Sequence, residues 1–183
     1  MSRTLVFCLA LLVPASAGAG GAPAMPAAVR STAAAAPARA AFERLGELAG
    51  RWRGRSTEGW TESIELRRIA GDSVLLETSQ FTDDPEGRNA MATAYQMDGE
   101  SLVLTHYCEA GNAPLLRATA FDDGGGTITF TFDGGTNLAS RDVGHMDSMV
   151  LRFGDARHFR SRWTWYQAGK ERWLEDIEYE RVE

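Results

Sequence analysis

The sequence predicts an all-β fold, namely a ten-stranded antiparallel up-and-down β-barrel with a short N-terminal helix that closes one end. Ten strand-like segments follow one another between Arg51 and Val182. No helical pattern of useful length interrupts them, which excludes the long crossovers that parallel strands need. Short turn sequences join the segments, as in a meander, and closure into a barrel would remove the exposed sheet edges.

The strands are predicted from the alternation of apolar and polar residues. In the segment 127–132, isoleucine and two phenylalanines alternate with three threonines. Phe159, Trp163 and Trp165 share one face of a later segment in the same way. One apolar and one polar face indicate an antiparallel sheet wrapped around a core. The predicted strands lie near residues 51–58, 61–70, 73–82, 89–97, 101–109, 115–121, 127–132, 145–153, 158–167 and 171–182.

Three regions of the chain differ in composition. Residues 1–17 have a basic start, an apolar run and an Ala-Ser-Ala end, which is typical of a secretory signal peptide. Residues 18–40 are rich in alanine and proline, and we expect a disordered linker there. Residues 41–183 form the predicted barrel domain. We therefore expect an exported protein, periplasmic or extracellular, with no membrane span in its mature form.

The charge balance bears on the partners of the chain. The 25 acidic residues exceed the 19 basic ones, which gives a net charge of −6 at pH 7. No basic residues are concentrated in a patch, so nucleic acid is excluded as a partner. Cleavage of the signal peptide would remove Cys8 and leave Cys108 as the sole cysteine, so no internal disulfide can form. The oligomeric state is left open.

The connections between strands predict two different barrel ends. Phe42, Leu45 and Leu48 are spaced as on a short amphipathic helix just before the first strand. Alternate connections of a meander lie at opposite ends, so the tight turns should lie beside this helix and the longer loops should form a mouth. Small barrels that hold a ligand are built this way. The tight turns are 70–72, 98–99, 122–126 and 154–156, and the longer connections are 83–88, 110–114 and 133–144.

Several chemically versatile residues are predicted to gather at this mouth. His106 and Cys108 are two residues apart, so they lie on one face of a strand. His145 is expected on the inward face of a later strand, together with Met149 and Leu151. The predicted ligand-binding residues are His106, Cys108, Asn112, Asn137, His145, Trp163 and Trp165.

Three functions fit these residues. The first is a binding module, in which a small and partly apolar molecule rests on the tryptophans. The second is a metal- or haem-dependent enzyme that uses His106, Cys108 and His145, because these ligand types suit zinc or copper. The third is a structural or partner-binding envelope protein with a filled interior. The sequence assigns no catalytic residue and does not identify a cofactor.

The opening of the first strand and four later segments resemble known families. Gly50 and Trp52 open the first strand and resemble the Gly-x-Trp signature of lipocalins. The segments 104–108, 111–114, 136–140 and 144–146 look like those of secreted bacterial lipocalin-like proteins of unknown function. The resemblance implies that residues 41–183 are a lipocalin-like, calycin-type β-barrel, and it supplies no activity. Leu115 stands where that family has an arginine, so the resemblance implies no anion-binding role for the loop of Asn112.

The same opening is also similar to that of nitrobindins, ten-stranded barrels in which a histidine holds a haem. The shared residues are Gly50, Trp52 and Gly54. That resemblance implies a haem as the cofactor. The rest of the nitrobindin opening, further glycines followed by a Tyr-Pro pair, is absent from residues 55–60.

Overall fold

The computed structural model describes residues 32–122, 124 and 126–182, and the side chains of 32–35 and 172–174 are not part of this description. The predicted signal peptide and the first part of the predicted linker lie outside these residues. No helix in the described part is long and apolar enough to cross a membrane. The elements are α1 (Thr32–Gly46), β1 (Gly50–Ser56), β2 (Thr61–Ile69), β3 (Val74–Phe81), β4 (Met91–Asp98), β5 (Ser101–Tyr107), β6 (Ala113–Phe121), β7 (Thr127–Thr136), β8 (His145–Phe153), β9 (His158–Gln167) and β10 (Lys170–Val182).

The ten strands form one closed barrel. Each strand pairs antiparallel with the next, and β10 returns to pair antiparallel with β1. The predicted up-and-down barrel is therefore confirmed. Its interior follows the predicted alternation, since Ile128, Phe130 and Phe159 are all buried.

Helix α1 closes the end of the barrel where β1 begins. Its apolar face buries Ala38, Phe42 and Leu45, and the helix packs against β4, β5 and β6. The position of the helix confirms the prediction, but it begins at Thr32 and so includes residues that we expected in a disordered linker. Alanine has the highest helix propensity of all residues, and Ala38 lies one turn before Phe42 on the buried face.

The mouth lies at the opposite end. The connections 82–90 and 137–144 lie there and are the longest of those between the described strands. The second is shorter than predicted because β7 continues to Thr136. Two short connections, 57–60 and 168–169, also lie at the mouth, so the separation of tight turns from longer loops is incomplete. The mouth is therefore elaborated mainly on one side.

Arg181 and Trp52 fasten the helix end to the last strand. The two residues are partners across β1 and β10, and the Arg181 guanidinium lies 4.1 Å from the centre of a Trp52 ring. The same guanidinium donates hydrogen bonds to the carbonyls of Glu47 at 3.1 Å, Ala49 at 2.9 Å and Ala156 at 3.0 Å. One side chain therefore joins β10, the turn before β9 and the segment between α1 and β1.

Replacing this guanidinium tests its contribution to stability. Arg181→Met should lower the free energy of unfolding by about 2 kcal/mol, because it removes charge-assisted hydrogen bonds and a cation–π contact. Urea unfolding monitored by tryptophan fluorescence measures the change. Arg53→Met is the matched control, since Arg53 is an exposed arginine of β1, and it should change stability by no more than about 0.5 kcal/mol. Equal losses in both variants would contradict a special role for Arg181.

Candidate functional site

The mouth half of the barrel contains an open cavity of about 830 Å³. This volume lies within the range of small-molecule sites, about 300–1,000 Å³. The upper interior is therefore not filled by side chains. The lining is rich in aromatic residues and glutamates, among them Trp60, Phe81, Trp163, Trp165, Glu62, Glu77 and Glu175.

His106 lines this cavity, as the alternation of β5 predicts. Its Nδ1 lies 3.0 Å from the hydroxyl of Thr93, which is its direct partner across β4 and β5. Its ring packs against Trp163 with 5.0 Å between ring centres. Nε2 is buried and has no hydrogen-bond partner among the described residues. Burial lowers the pKa of His106 to about 4, so the imidazole is neutral at pH 7.

Cys108 also lines the cavity, on the same face of the chain as His106. The residue is half-buried and its thiol is free. Burial raises the pKa of this thiol, and the charge of Glu109 raises it further. Cys108 is therefore a protonated thiol at neutral pH rather than an activated nucleophile.

Asn112 and Asn137 do not line the cavity; they tie the mouth loops together. The Asn112 amide donates to the carbonyl of Gly144 at 2.8 Å, which joins the β5–β6 and β7–β8 connections. The Asn137 amide donates to the carbonyl of Gly111 at 2.9 Å. Asn137 has a φ of 59°, a left-handed conformation that asparagine tolerates better than most residues. In this structure, both amides act on loop backbone.

His145 does not line the cavity. A β-bulge between Met146 and Ser148 inserts one residue and reverses the faces of the strand before it. Met146 therefore lines the cavity, while His145 pairs with Tyr166 and packs its ring against Phe132, with 4.7 Å between ring centres. Arg141 donates to Nε2 of His145, so the ring proton is on Nδ1, which donates to the carbonyl of Val143.

Of the predicted trio, His106 and Cys108 therefore line the cavity and His145 does not. Both ring nitrogens of His145 are already in use, whereas Nε2 of His106 is not. In the part of the chain that the structure describes, no group of three or more His, Cys, Asp or Glu side chains is arranged to hold a metal ion. The three residues named for the metal or haem alternative therefore do not meet at one site.

Three glutamates in the cavity wall were not predicted. Glu62, Glu77 and Glu175 come from β2, β3 and β10, and all three line the cavity. The alternation contained the signal, because Glu62 is in phase with Ile64 and Leu66 on the buried face of β2. A charged residue that continues an apolar face in this way indicates an inward carboxyl group.

Each carboxyl group accepts a hydrogen bond from a residue of another strand. Tyr179 donates to Glu62 at 2.7 Å, and Tyr95 donates to Glu77 at 3.1 Å. The hydroxyl of Ser56 donates to Glu175 at 2.8 Å. These donors hold the carboxyl oxygens in place and satisfy part of their hydrogen-bonding capacity.

Gly54 makes the contact between Glu62 and Tyr179 geometrically feasible. It lies on β1 directly between them, as the cross-strand partner of both. A Cβ at this position would lie 2.8 Å from a ring carbon of Tyr179 and 2.9 Å from Cγ of Glu62. The absence of a side chain on Gly54 therefore lets the two residues meet across an intervening strand.

Burial controls the charge of these carboxyl groups. Desolvation, with a smaller contribution from the nearby charge of Glu62, raises the pKa of Glu77 to about 8 and that of Glu175 to about 7. Desolvation also raises the pKa of Glu62. Among the described lining residues, the permanent cation is Arg88, whose side chain is 76% exposed at the rim and paired with Glu86. The interior therefore has acidic groups without a buried cation.

Comparison with known proteins adds one structural similarity. No family model matches the chain, and no curated protein sequence matches it. The structure is similar to a protein of unknown function of the DUF3598 family from Nostoc punctiforme, with 12% sequence identity and a TM-score of 0.48. The match covers 74% of this chain and 48% of that one, so the chain spans about half the length of the protein it matches.

The raised carboxyl pKa values predict a decline in stability as pH rises from about 4.5 to about 8. The pKa of Glu77 is about 8 in the folded protein and ordinarily 4.5. Between these values the folded state keeps a proton that the unfolded state has lost, so stability falls with rising pH until the folded-state pKa of about 8 has been passed. His106 acts in the opposite direction only between its folded value of about 4 and its ordinary value of 6.5.

Glu77→Gln should therefore remove part of the decline between pH 6.5 and pH 8.5, about 1–2 kcal/mol in the free energy of unfolding. Deprotonation of Glu62 and Glu175 should account for the rest of the decline. Urea unfolding at the two pH values measures the change. Glu65→Gln is the control, because Glu65 is a carboxylate of β2 with 42% of its side chain exposed, and this variant should keep the slope of the native protein. An unchanged slope in Glu77→Gln would refute the assignment.

Proposed function

We propose that the protein binds a small, partly apolar molecule in the cavity of its barrel. The observation that supports this proposal most strongly is the volume of about 830 Å³, with aromatic walls and a few buried polar groups. Binding sites for small molecules combine these features. Trp163 and Trp165 would contact the apolar part of the ligand, and Nε2 of His106 is free to bond a polar group.

The other two functions have less support. The division of His106 from His145 separates the ligands that a metal- or haem-dependent enzyme would use. The open cavity argues against a barrel whose interior is filled and whose role is purely structural.

A cavity-blocking variant tests the proposal. Met146 lines the cavity and is 9% exposed, so Met146→Trp should fill part of the volume. We expect the neutral fluorescent probe N-phenyl-1-naphthylamine to bind the native protein and to bind Met146→Trp at least about tenfold more weakly, since overpacking excludes a ligand of this size. Probe fluorescence and quenching of tryptophan emission measure the affinity.

Val150→Trp is the matched control, because Val150 lies on the same strand and pairs with Arg162 of the outer face. This variant should retain the affinity of the native protein. Absence of probe binding in the native protein, or equal binding in the two variants, would contradict a ligand site in the cavity.

We also propose that the chain is exported and that residues 1–17 are removed as a signal peptide. The support is the order of a basic start, an apolar run and an Ala-Ser-Ala end. Expression of the full chain in a Gram-negative host should give a periplasmic product that begins just after Ala17. Intact mass measurement of the fractionated cells identifies the start. Leu11→Arg should interrupt the apolar run and keep the full-length chain in the cytoplasm, and a native chain found uncleaved in the cytoplasm would refute export.

A further inference from the structure

We propose that the ligand of this cavity is an organic cation, with an ammonium group held by the three glutamates and an apolar body held by the tryptophans. This inference rests on the proposed function, because it assigns a chemical class to the ligand of the same site. Four features of the cavity carry it, namely the sign of its charge, the arrangement of its carboxyl groups, its aromatic wall and an unpartnered histidine nitrogen.

Among the residues whose side chains the structure describes, the cavity has buried acids without a buried cation. Buried charges in proteins are ordinarily paired with an opposite charge. The groups that act on Glu62, Glu77 and Glu175 are other glutamates and the neutral donors of tyrosine, serine and tryptophan, and no lysine or arginine is among them. A ligand cation would supply the missing opposite charge.

The arrangement of the carboxyl groups favours a large cation over a metal ion. Within the described ranges, no three acidic, histidine or cysteine side chains converge as metal ligands do. The glutamates instead border a volume of about 830 Å³, from β10 around to β3. Such a distribution suits a cation whose charge is spread over a substituted ammonium group.

The aromatic residues suit the same ligand. Three tryptophans line the cavity with the glutamates, namely Trp60, Trp163 and Trp165. Trp60 and Phe81 form an edge-to-face pair with 5.1 Å between ring centres. Tryptophan has the strongest attraction for a cation among aromatic side chains, and its indole also covers apolar groups. Carboxylates next to tryptophan faces therefore favour an ammonium ion with an apolar substituent.

His106 also fits a cationic ligand, because its imidazole adds no positive charge to the cavity. Its ring lines the cavity, the residue is 5% exposed, and Nε2 has no partner among the described side chains and backbone. Burial keeps the imidazole neutral, so it does not compensate the acidic groups. Nε2 is therefore available for an uncharged polar group elsewhere on the ligand.

Binding of a cation should depend on pH. The carboxyl groups of Glu77 and Glu175 hold protons near neutral pH, and a cation favours their ionised forms. Binding should therefore release protons and become tighter as pH rises from 6 to 8.5. The titratable and charged groups around the cavity are Glu62, Glu77, Asp83, Asp84, Arg88, Tyr95, His106, Cys108, Glu109, Glu175 and Tyr179.

A pair of isosteric probes tests the charge directly. Benzyltrimethylammonium carries a permanent cation, and neopentylbenzene has the same shape without charge. Calorimetric titration of the full chain at pH 8.5 should give an affinity for the cation at least about tenfold higher than for the neutral probe. The affinity for the cation should rise between pH 6 and pH 8.5, and the affinity for the neutral probe should not.

The outcomes separate this inference from the proposed function. Equal affinities for the two probes would overturn the cationic ligand and leave a binding cavity in place. Binding of neither probe, together with no binding of N-phenyl-1-naphthylamine, would overturn the proposed function itself. A preference for the neutral probe would also refute the inference.

Charge-removing variants locate the effect. Glu77→Gln and Glu175→Gln keep an acceptor oxygen for Tyr95 and Ser56, and each should weaken cation binding by about tenfold while leaving the neutral probe unaffected. The neutral probe therefore also reports that each variant is folded. Glu65→Gln, on the outer face of β2, should change neither affinity. Unchanged cation affinity in both cavity variants would overturn the inference.

Discussion

The pairing of β1 with β10 is the constraint on which the rest of the structure depends. An open ten-stranded sheet would expose two edges, and its cavity would lack a wall. The pairing is continuous from Arg51 to Ser56, and it is fastened at the helix end by Arg181 over Trp52. The same guanidinium also binds backbone carbonyls before β1. One side chain therefore supports both the pairing that closes the wall and the position of the helix that closes the floor.

The strand β1 that closes the barrel also differs between its two ends. Side chains fill the barrel at the helix end, and the cavity lies at the mouth. Trp52 faces inward near the floor and is 1% exposed. Above it, β1 presents only Gly54 and Ser56 to the interior. These two small residues leave room for the side chains of the flanking strands, and Glu62 and Glu175 extend into that room to bind Tyr179 and Ser56. The small residues of β1 thus make room for two of the carboxyl groups that border the cavity.

Period-two alternation predicted the ten strands because each has one buried face, and this pattern persists wherever the backbone is regular. It failed at His145, since the bulge after Met146 reverses the faces and leaves no mark in the residue types. It succeeded at His106, where β5 is regular. Glu62 was not singled out from the sequence, although the phase of Ile64 places it inside. The start of α1 was missed because the alanine-rich segment before Phe42 has no apolar periodicity.

The apolar residues that stabilise the fold and the acidic groups of the cavity lie at different levels along the barrel axis. Apolar burial is concentrated at the floor, where Phe42, Leu45 and Trp52 pack, and this burial offsets the cost of unpaired acids above it. The carboxyl groups are already desolvated and hydrogen-bonded before any ligand enters, which reduces the reorganisation that binding requires. Protonation lets them remain buried without a partner, since a neutral carboxyl group costs far less to bury than a charged one. An empty site with exchangeable protons is therefore compatible with a stable barrel, and a cation would replace those protons without any change in the fold.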